Sequence, residues 1–539
     1  MENPSDLFGE YVFNDSMMQK RLPKETYKAL KRTIEQGRSL DPAVAVSAFV
    51  TGMLVYLFAL TNTLFLTGDA LNNVYFNGDL MWIGRWSSQW LSSLSTSYTM
   101  PYVNGLLMIL AVSALSGMLV AVLEIRSTVL AVVSSAVMMC FPTVSATLGF
   151  LHNADAYMLA AMLAALGVLL LEKTRWGFLP AVLLIAVATG TYQACATFAL
   201  GMLFVRGMQL MICKPDVGPR ALLLRAGRYA LCLVLSVALY YVVLLAMTGG
   251  QGATGDYQSV TESASLETLM AFPQNLAGCY QDFWQAVGPL STEEGCRMGS
   301  WPNHVFIALE LLLACVSFLA LQGRKPLRFL AFLALCALAP FFLCAIRIFA
   351  PDKVYNLMTY SVAGTYLIGI VLMDRLPETM ERLKAAKGGR AARGALAGVS
   401  WAMLACLAVC VYSWSIDANV KFHKAKLDYE NMYAQCSTFL DLAEANDEYV
   451  QGMPVLVIGD SSYASGRGRP AMYETKMYYT FMRYCLNVDM PFSTANDIRD
   501  LARAIEDSED FVLMSCYPGE GCVQVIGDCM VIKLSEPDY

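Results

Sequence analysis

Between residues 42 and 416 the chain repeats one pattern: an apolar run of about bilayer-crossing length, then a short polar turn. The runs fall at 42–66, 100–123, 128–150, 155–171, 178–192, 194–212, 229–248, 304–322, 327–346, 357–373 and 395–416. In lipid such a segment must satisfy its own backbone N–H and C=O groups, which leaves the α-helix. The expected fold is a mainly α, polytopic membrane protein with about eleven crossings. Composition agrees: 15% of residues are charged, against about 25% in soluble domains. The stretch 178–212 is too long for one crossing and is divided at "GTYQ", Gly190 to Gln193.

Orientation follows from the Lys/Arg bias of the turns. Basic residues occur in the N-terminal segment, at Arg126, at Lys173 and Arg175, at Lys214, Arg220, Arg225 and Arg228, at Arg324, Lys325 and Arg328, and in "ERLKAAKGGRAARG". With eleven crossings all of these share one side. The N terminus is then cytoplasmic, and the segment after residue 416 is extracytoplasmic. No small-residue cleavage site follows a short apolar stretch near Met1, so the first crossing is expected to stay as an anchor. Residues 1–40 are polar, and "KETYKALKRTIEQ" sets Tyr27, Leu30 and Ile34 at helical spacing opposite Lys and Arg. This reads as an amphipathic helix on the membrane surface or, equally, as a solvated helix. The net charge of −6 is unevenly spread and makes no case for nucleic acid.

The chain divides into a cytoplasmic interfacial segment (1–40), a transmembrane unit (41–416) and an extracytoplasmic tail (417–539). In the tail, "LDYENMYAQCSTFLDLAEA", "AMYETKMYYTFMRYCL" and "STANDIRDLARAIED" have helical periodicity, the last capped by Ser493 or Thr494. "PVLVIGD", "DFVLMSCY" and "CVQVIGDCMVIKL" read as strands, which predicts a small α/β accessory domain. "VIGDSSYASGRGR" lacks the Lys-Ser/Thr ending and the GxGxxG spacing of a phosphate loop. The sixteen Cys and three His form no metal-ligand pattern and no DxD occurs in the outer turns, so no cofactor is expected and no divalent-metal motif is seen.

The polar residues that could carry chemistry gather on the outer side. Asp69 lies just past the first apolar run, followed by Asn72 and Asn73. Asp79 heads a segment in which Trp82, Trp86 and Trp90 recur every fourth residue, with Arg85 and Gln89 beside them. That spacing predicts a short helix lying flat at the interface. Its Trp residues would serve as an interfacial belt or as stacking surfaces. In "FPTVSATLGFLHNADAY", Pro142 should break or kink the helix, ahead of a polar tip with His152, Asn153, Asp155 and Tyr157. "GTYQ" adds Tyr192 and Gln193, and "RIFAPDKVYN" adds Arg347, Asp352, Lys353, Tyr355 and Asn356. No charged residue stands out at mid-membrane, where a transporter's coupling site would be expected.

An acid just after the first crossing, then "GRW", then "FPTV…NADAY", then "GTYQA" resembles, in residues and order, the bacterial serotype-converting O-antigen glucosyltransferase family, polytopic enzymes of the GT-C type. The resemblance covers about residues 42–212, and the layout of the rest is compatible. The family's paired acid would fall where this chain has Gly68-Asp69, so one carboxylate remains there and Asp79 is the alternative second acid. The resemblance implies transfer of a sugar, glucose by family, from a polyprenyl-phosphate donor such as undecaprenyl phosphate glucose. The acceptor would be a surface glycan on the outer face of the cytoplasmic membrane. It also implies a small membrane flippase and a donor-synthesising glycosyltransferase as partners.

The residues suit that chemistry. A carboxylate at the membrane edge can act as general base, with Asp69 favoured and Asp79 and Asp155 as rivals. Arg85, Arg347 and Lys353 could neutralise the leaving phosphate. Asn72, Trp82, Trp86, His152, Asn153, Tyr157, Tyr192 and Gln193 could contact sugar. One base with direct attack would invert the anomeric centre. A lipid-linked sugar flippase or transporter is the alternative reading, and a non-enzymatic surface receptor is a third.

Overall fold

The computed structural model describes residues 42–62, 70–71, 73–75, 78–95, 98–254, 272–288, 300–323, 325–351, 354–383, 389–459, 475–488 and 495–535. The expectations for residues 1–40, for Asp69, Asn72, Asp352 and Lys353, for the Ser493/Thr494 cap and for all of "SSYASGRGR" lie outside these residues.

The chain is a mainly α, polytopic membrane protein. Helices α1 (Pro42–Thr61), α2 (Ser88–Ser92), α3 (Pro101–Val122), α4 (Thr128–Cys140), α5 (Pro142–Leu148), α6 (Leu151–Lys173), α7 (Phe178–Thr191), α8 (Ala194–Cys213) and α9 (Pro219–Met247) come first. They are followed by α10 (Phe272–Val287), α11 (Trp301–Gln322), α12 (Pro326–Leu343), α13 (Ile346–Phe349), α14 (Gly364–Asp374), α15 (Leu376–Leu383) and α16 (Gly389–Glu444). Among the described residues eight helices are long and apolar enough to cross a membrane, and α4 with α5 makes a ninth candidate. α7 and the stretch Tyr360–Asp374 are shorter apolar helices. Each of these helical stretches falls on one of the apolar runs of the sequence.

The sequence breakers act where expected. α4 and α5 bend by 41° at Phe141, ahead of Pro142, whose missing N–H and ring cannot continue the helix. α7 ends at Thr191 because Tyr192 turns extended (φ −150°), and Gln193 opens α8.

Local structure departs from the sequence pattern at several points. The helix carrying Trp82, Trp86 and Trp90 does not form: a 3₁₀ turn, Met81–Ile83, stops at Gly84, whose φ of +78° is left-handed, and α2 begins only at Ser88. "HNADAY" is not a loop tip but the first two turns of α6, wholly buried. The 249–303 connection contains α10, whose Cys279, Phe283 and Val287 are buried at helical spacing. Glu310 stands near the middle of α11 and is buried, with Tyr366 and Cys336 nearby. One Glu among 22 residues barely changes the hydropathy of that run.

The tail adds β1 (Val455–Ile458), α17 (Thr475–Cys485), α18 (Ala495–Glu506), α19 (Glu509–Leu513), β2 (Val523–Ile526) and β3 (Cys529–Lys533). β3 is central, parallel to β1 and antiparallel to β2. "DFVL" is helical rather than extended: Ser508 Oγ accepts from Phe511 N at 3.3 Å to start α19. The buried Lys533 ammonium donates to the carbonyls of Phe511 (3.1 Å) and Met514 (3.2 Å) at its end. The tail has its own apolar core, which also takes in Leu71 from the segment after α1. The expected boundary at 416/417 falls inside α16. No Gly or Pro occurs between Trp414 and Glu444, so nothing in the sequence stops that helix. At about 1.5 Å per residue its 56 residues are far longer than a hydrocarbon core of roughly 30 Å.

Candidate active site

The two ends of the helical unit differ in chemistry. At one end the "GRW" and "GTYQ" segments interlock. Positive φ at Gly84 turns the chain back, so that Arg85 N donates to Leu80 O (3.1 Å) while Tyr240 OH donates to Gly84 O (3.1 Å). Ser87 N donates to Gly190 O (3.0 Å), and Ser87 Oγ reaches Val187 O (2.7 Å) and Thr191 Oγ1 (2.9 Å). Trp86 is buried against Gly190, where a Cβ would lie 2.4 Å from the indole. Gly190 is therefore what lets the indole lie on α7.

This loop delivers Arg85, 8% exposed, to the first turns of α6 and α8. Its Nη1 donates to Tyr157 OH (2.5 Å) and its Nε to Gln193 Oε1 (3.1 Å). Gln193 Nε2 in turn donates to Ile83 O (2.9 Å), which fixes the amide. The guanidinium lies over the rings of Tyr192 (5.0 Å) and Tyr157 (5.4 Å), which stack on each other at 4.4 Å. His152 is buried and within electrostatic range of Arg85. Thr143 and Tyr360 border a cavity of about 20 Å³ beside the Tyr157–Tyr192 pair.

Asp155 is completely buried on α6. Neither carboxylate oxygen makes a well-formed hydrogen bond among the described residues, and the side chains of Ser95 and Asn104 face it. Asn153 Oδ1, Ser88 Oγ and Ser92 Oγ are likewise buried without partners among the described residues. A buried polar atom without a partner is costly, so a cluster of them is a site for a ligand or for water.

The other sequence candidates divide. Asp79 is exposed and accepts from Met81 N (3.2 Å), closing its own turn. Trp82 and Trp90 are half exposed, and Trp90 meets Trp86 edge-on at 5.3 Å. Arg347 is gripped at Nε (2.7 Å) and Nη2 (2.5 Å) by the buried carboxylate of Asp282 on α10, and its Nη1 donates to Pro351 O (2.8 Å). The structure thus brings Arg85, Trp86, His152, Tyr157, Tyr192 and Gln193 into one group and holds Arg347 on a separate anchor. Ser87, Thr191, Tyr240, Asn104 and Asp282 were not foreseen. Asn104 alone carried a signal, as a lone amide in the apolar run 100–123.

At the opposite end stand the basic turns. Arg206 donates to Glu172 (2.9 Å) and Glu124 (2.8 Å), Lys173 binds Glu124 (3.0 Å), Tyr229 OH donates to Glu172 (2.5 Å), and Arg126 pairs with Glu378 (2.6 Å). The turns that the Lys/Arg pattern assigns to one side therefore touch one another.

A polytopic helical membrane protein with one such polar cluster at the ends of its crossing helices fits the class of membrane glycosyltransferases. The model of the family "Glucosyl transferase GtrII" matches residues 57–373, well over half of the chain, and the protein belongs to that family. It is a glucosyl-type glycosyltransferase, as the ordered motifs implied. A second family model, "Glutamine synthetase type III N terminal", matches residues 4–63. The chain is also similar to a glutamine synthetase of Butyrivibrio fibrisolvens, 50% identical over 40 residues. That stretch spans 7% of this chain and only 6% of the relative's length. No solved structure matches.

Proposed function

We propose that the chain transfers glucose from a polyprenyl-phosphate donor to a surface glycan on the outer face of the cytoplasmic membrane, with inversion at the anomeric carbon. The observation that carries this reading is the buried Arg85, held in a fixed fork by Tyr157 and Gln193 at the ends of crossing helices. A lipid phosphate resides at that depth, and a preorganised guanidinium stabilises the charge that develops on it as the sugar leaves. The opposite end is rich in Lys and Arg, which by the positive-inside bias makes it cytoplasmic and the Arg85 end external.

Asp69 is the proposed general base. It immediately precedes Ala70 and Leu71, and Leu71 is buried in the tail core, so in sequence it joins the lipid-facing unit to the tail. A donor diffusing in the membrane and a hydrophilic glycan would meet there. Asp155 is the rival, buried beside Ser95 and Asn104; Asp79 is weakened by its role in its own turn. Trp86, His152, Asn153, Tyr157 and Tyr192 would surround the sugar, and Asn72 and Trp82 would border it. Lys353 would support the phosphate. Arg347 would bind it only by giving up part of its grip on Asp282. The tail would hold the acceptor over the membrane.

The test is transfer by the reconstituted chain from radiolabelled undecaprenyl phosphate glucose to the surface polysaccharide of the host cell. Arg85→Lys keeps the charge and loses the fork, and should cut transfer at least tenfold. Wild-type transfer by that variant, or no transfer from the lipid donor by the wild type, would overturn the reading.

A further inference from the structure

Outside the Arg85 group the described surface carries a second aromatic cluster. Tyr75 and Tyr98 are paired by an isolated antiparallel bridge at the two ends of the loop that holds Arg85. Thr99 N donates to Val74 O (2.9 Å) and Thr99 Oγ1 to Asn73 O (2.6 Å), locking the two strands of the loop together. The rings of Tyr75 and Tyr98 meet edge-on at 4.2 Å, and their hydroxyls are hydrogen-bonded. Tyr484, in the last turn of α17, approaches Tyr75 at 6.0 Å, with the Arg483 guanidinium over its ring at 5.5 Å.

Tyr75 is 54% exposed and Tyr98 47% exposed. Rings that served only to glue the tail to the loop would be covered. These remain open while being fixed by backbone pairing, so they offer flat surface at little entropic cost. A pyranose is matched to such a surface: its C–H face stacks on the electron-rich ring while its hydroxyls reach phenolic oxygens and a cation. The cluster also adjoins the polar pocket. Met100 N, two residues beyond Tyr98, donates to Asn104 Oδ1 (2.9 Å), and Asn104 faces Asp155.

We propose that Tyr75, Tyr98 and Tyr484 form a stacking platform for the acceptor glycan, between the tail and the Arg85 loop. The proposal rests on the reading of the chain as a transferase acting on a glycan, and deepens it by naming where the acceptor is held. An interfacial belt, the competing role for exposed tyrosines in a membrane protein, would be turned toward lipid. Here the third ring comes from the tail, whose core is separate from the helical one.

The test uses the full chain in lipid nanodiscs, with oligosaccharides cut from the surface polysaccharide of the host cell as the probe. Binding is read without donor by saturation-transfer NMR, and transfer is read separately as KM for acceptor and for lipid donor. Tyr98→Leu keeps apolar bulk and loses the flat face. It should raise the acceptor KM about tenfold, or about 1.4 kcal/mol, with donor KM and kcat unchanged and glycan binding weakened in parallel. Tyr98→Trp should restore both, and Tyr484→Leu repeats the test if Tyr98→Leu does not fold. Wild-type acceptor KM and binding in both Leu variants would overturn the platform, as would equal losses toward donor and acceptor. Should the wild type transfer nothing, the transferase reading fails. The binding arm then decides alone: glycan binding lost in the Leu variants sustains the platform, and no binding by the wild type ends it.

Discussion

The basic end and the Arg85 end of the helical unit use the same residue types to opposite effect. At the basic end Arg206 and Glu172 are almost fully buried, and each is matched by a counter-charge and a further hydrogen bond. At the other end Arg85 is braced by a phenol, an amide and two ring faces, while the Asp155 carboxylate is buried without a well-formed partner among the described residues. A saturated network resists change and specifies how helices meet. A cluster holding polar groups in reserve costs stability and is kept where a ligand completes it.

The largest expected effect breaks the saturated end. Arg206→Met leaves the carboxylates of Glu172 and Glu124 without their main cation. Removing one partner of a buried pair costs about 3–5 kcal/mol, so the variant should solubilise poorly and lose its thermal transition. Adding Glu172→Gln should recover part of that loss. A stable Arg206→Met protein would show that the network is not a structural clamp.

At the reserve end the loss should fall on chemistry and spare the fold. Asp69→Asn keeps size and removes the proposed base. Transfer should fall roughly a hundredfold, with the thermal midpoint unchanged. If Asp69→Asn transfers normally and Asp155→Asn is inactive, the base moves to the buried carboxylate on α6.

Arg347 lies between the two behaviours, and two variants decide which end it resembles. As a phosphate ligand it should give, as Arg347→Ala, about a tenfold weaker use of lipid donor, near 1.4 kcal/mol. Asp282→Asn would then leave donor use intact or improve it, because the guanidinium is released. As an anchor for α10 it should give equal losses from both variants, with a lowered thermal midpoint.

What the sequence made legible follows from how far each signal reaches. Hydropathy, Pro142 and "GTYQ" act within one helix, so the crossings, the bend at Phe141 and the break at Tyr192 could be read locally. The motif order carried the family. The pairings could not be read: Arg85 meets Gln193 across 108 residues, and Arg126 meets Glu378 across 252. Lys and Arg were informative as a count per turn, which sets sidedness, but Glu124 and Glu172, which neutralise them, leave no periodic trace. Trp82, Trp86 and Trp90 misled because their spacing of four suits a helix until Gly84 adopts positive φ. In the tail, "DFVL" has the composition of a strand, and the cap from Ser508 decides for a helix. α16 was read as two elements because its character changes near Asp417 from apolar to amphipathic, although nothing there interrupts the backbone.

The smallest effect sharpens the comparison through pH. Glu124, in the turn between α3 and α4, accepts from Lys173 and Arg206 and lies 3.4 Å from Lys214. Burial opposes its ionisation, but Arg206 and Lys173 outweigh that and hold the carboxyl down to about 2, from 4.5. A group whose folded pKa is depressed stabilises the fold fully above its unfolded pKa, and that stabilisation is lost as pH falls toward the folded value. The contribution of Glu124 should therefore be complete above about pH 5 and fade between about pH 4.5 and 2. The carboxylate is about one-third exposed, so solvent screening should keep the effect to about 1 kcal/mol or less. Glu124→Gln should lower the apparent thermal midpoint by about one degree or less at pH 7, as such an energy predicts for a chain of 539 residues. The gap to the wild type should narrow steadily from pH 5 to pH 3, since protonation brings the wild type toward the variant. A gap that stayed constant over that range would mean that the turn is held by its backbone contacts, Arg375 Nη2 to Glu124 O at 2.7 Å among them, and that its charges contribute little.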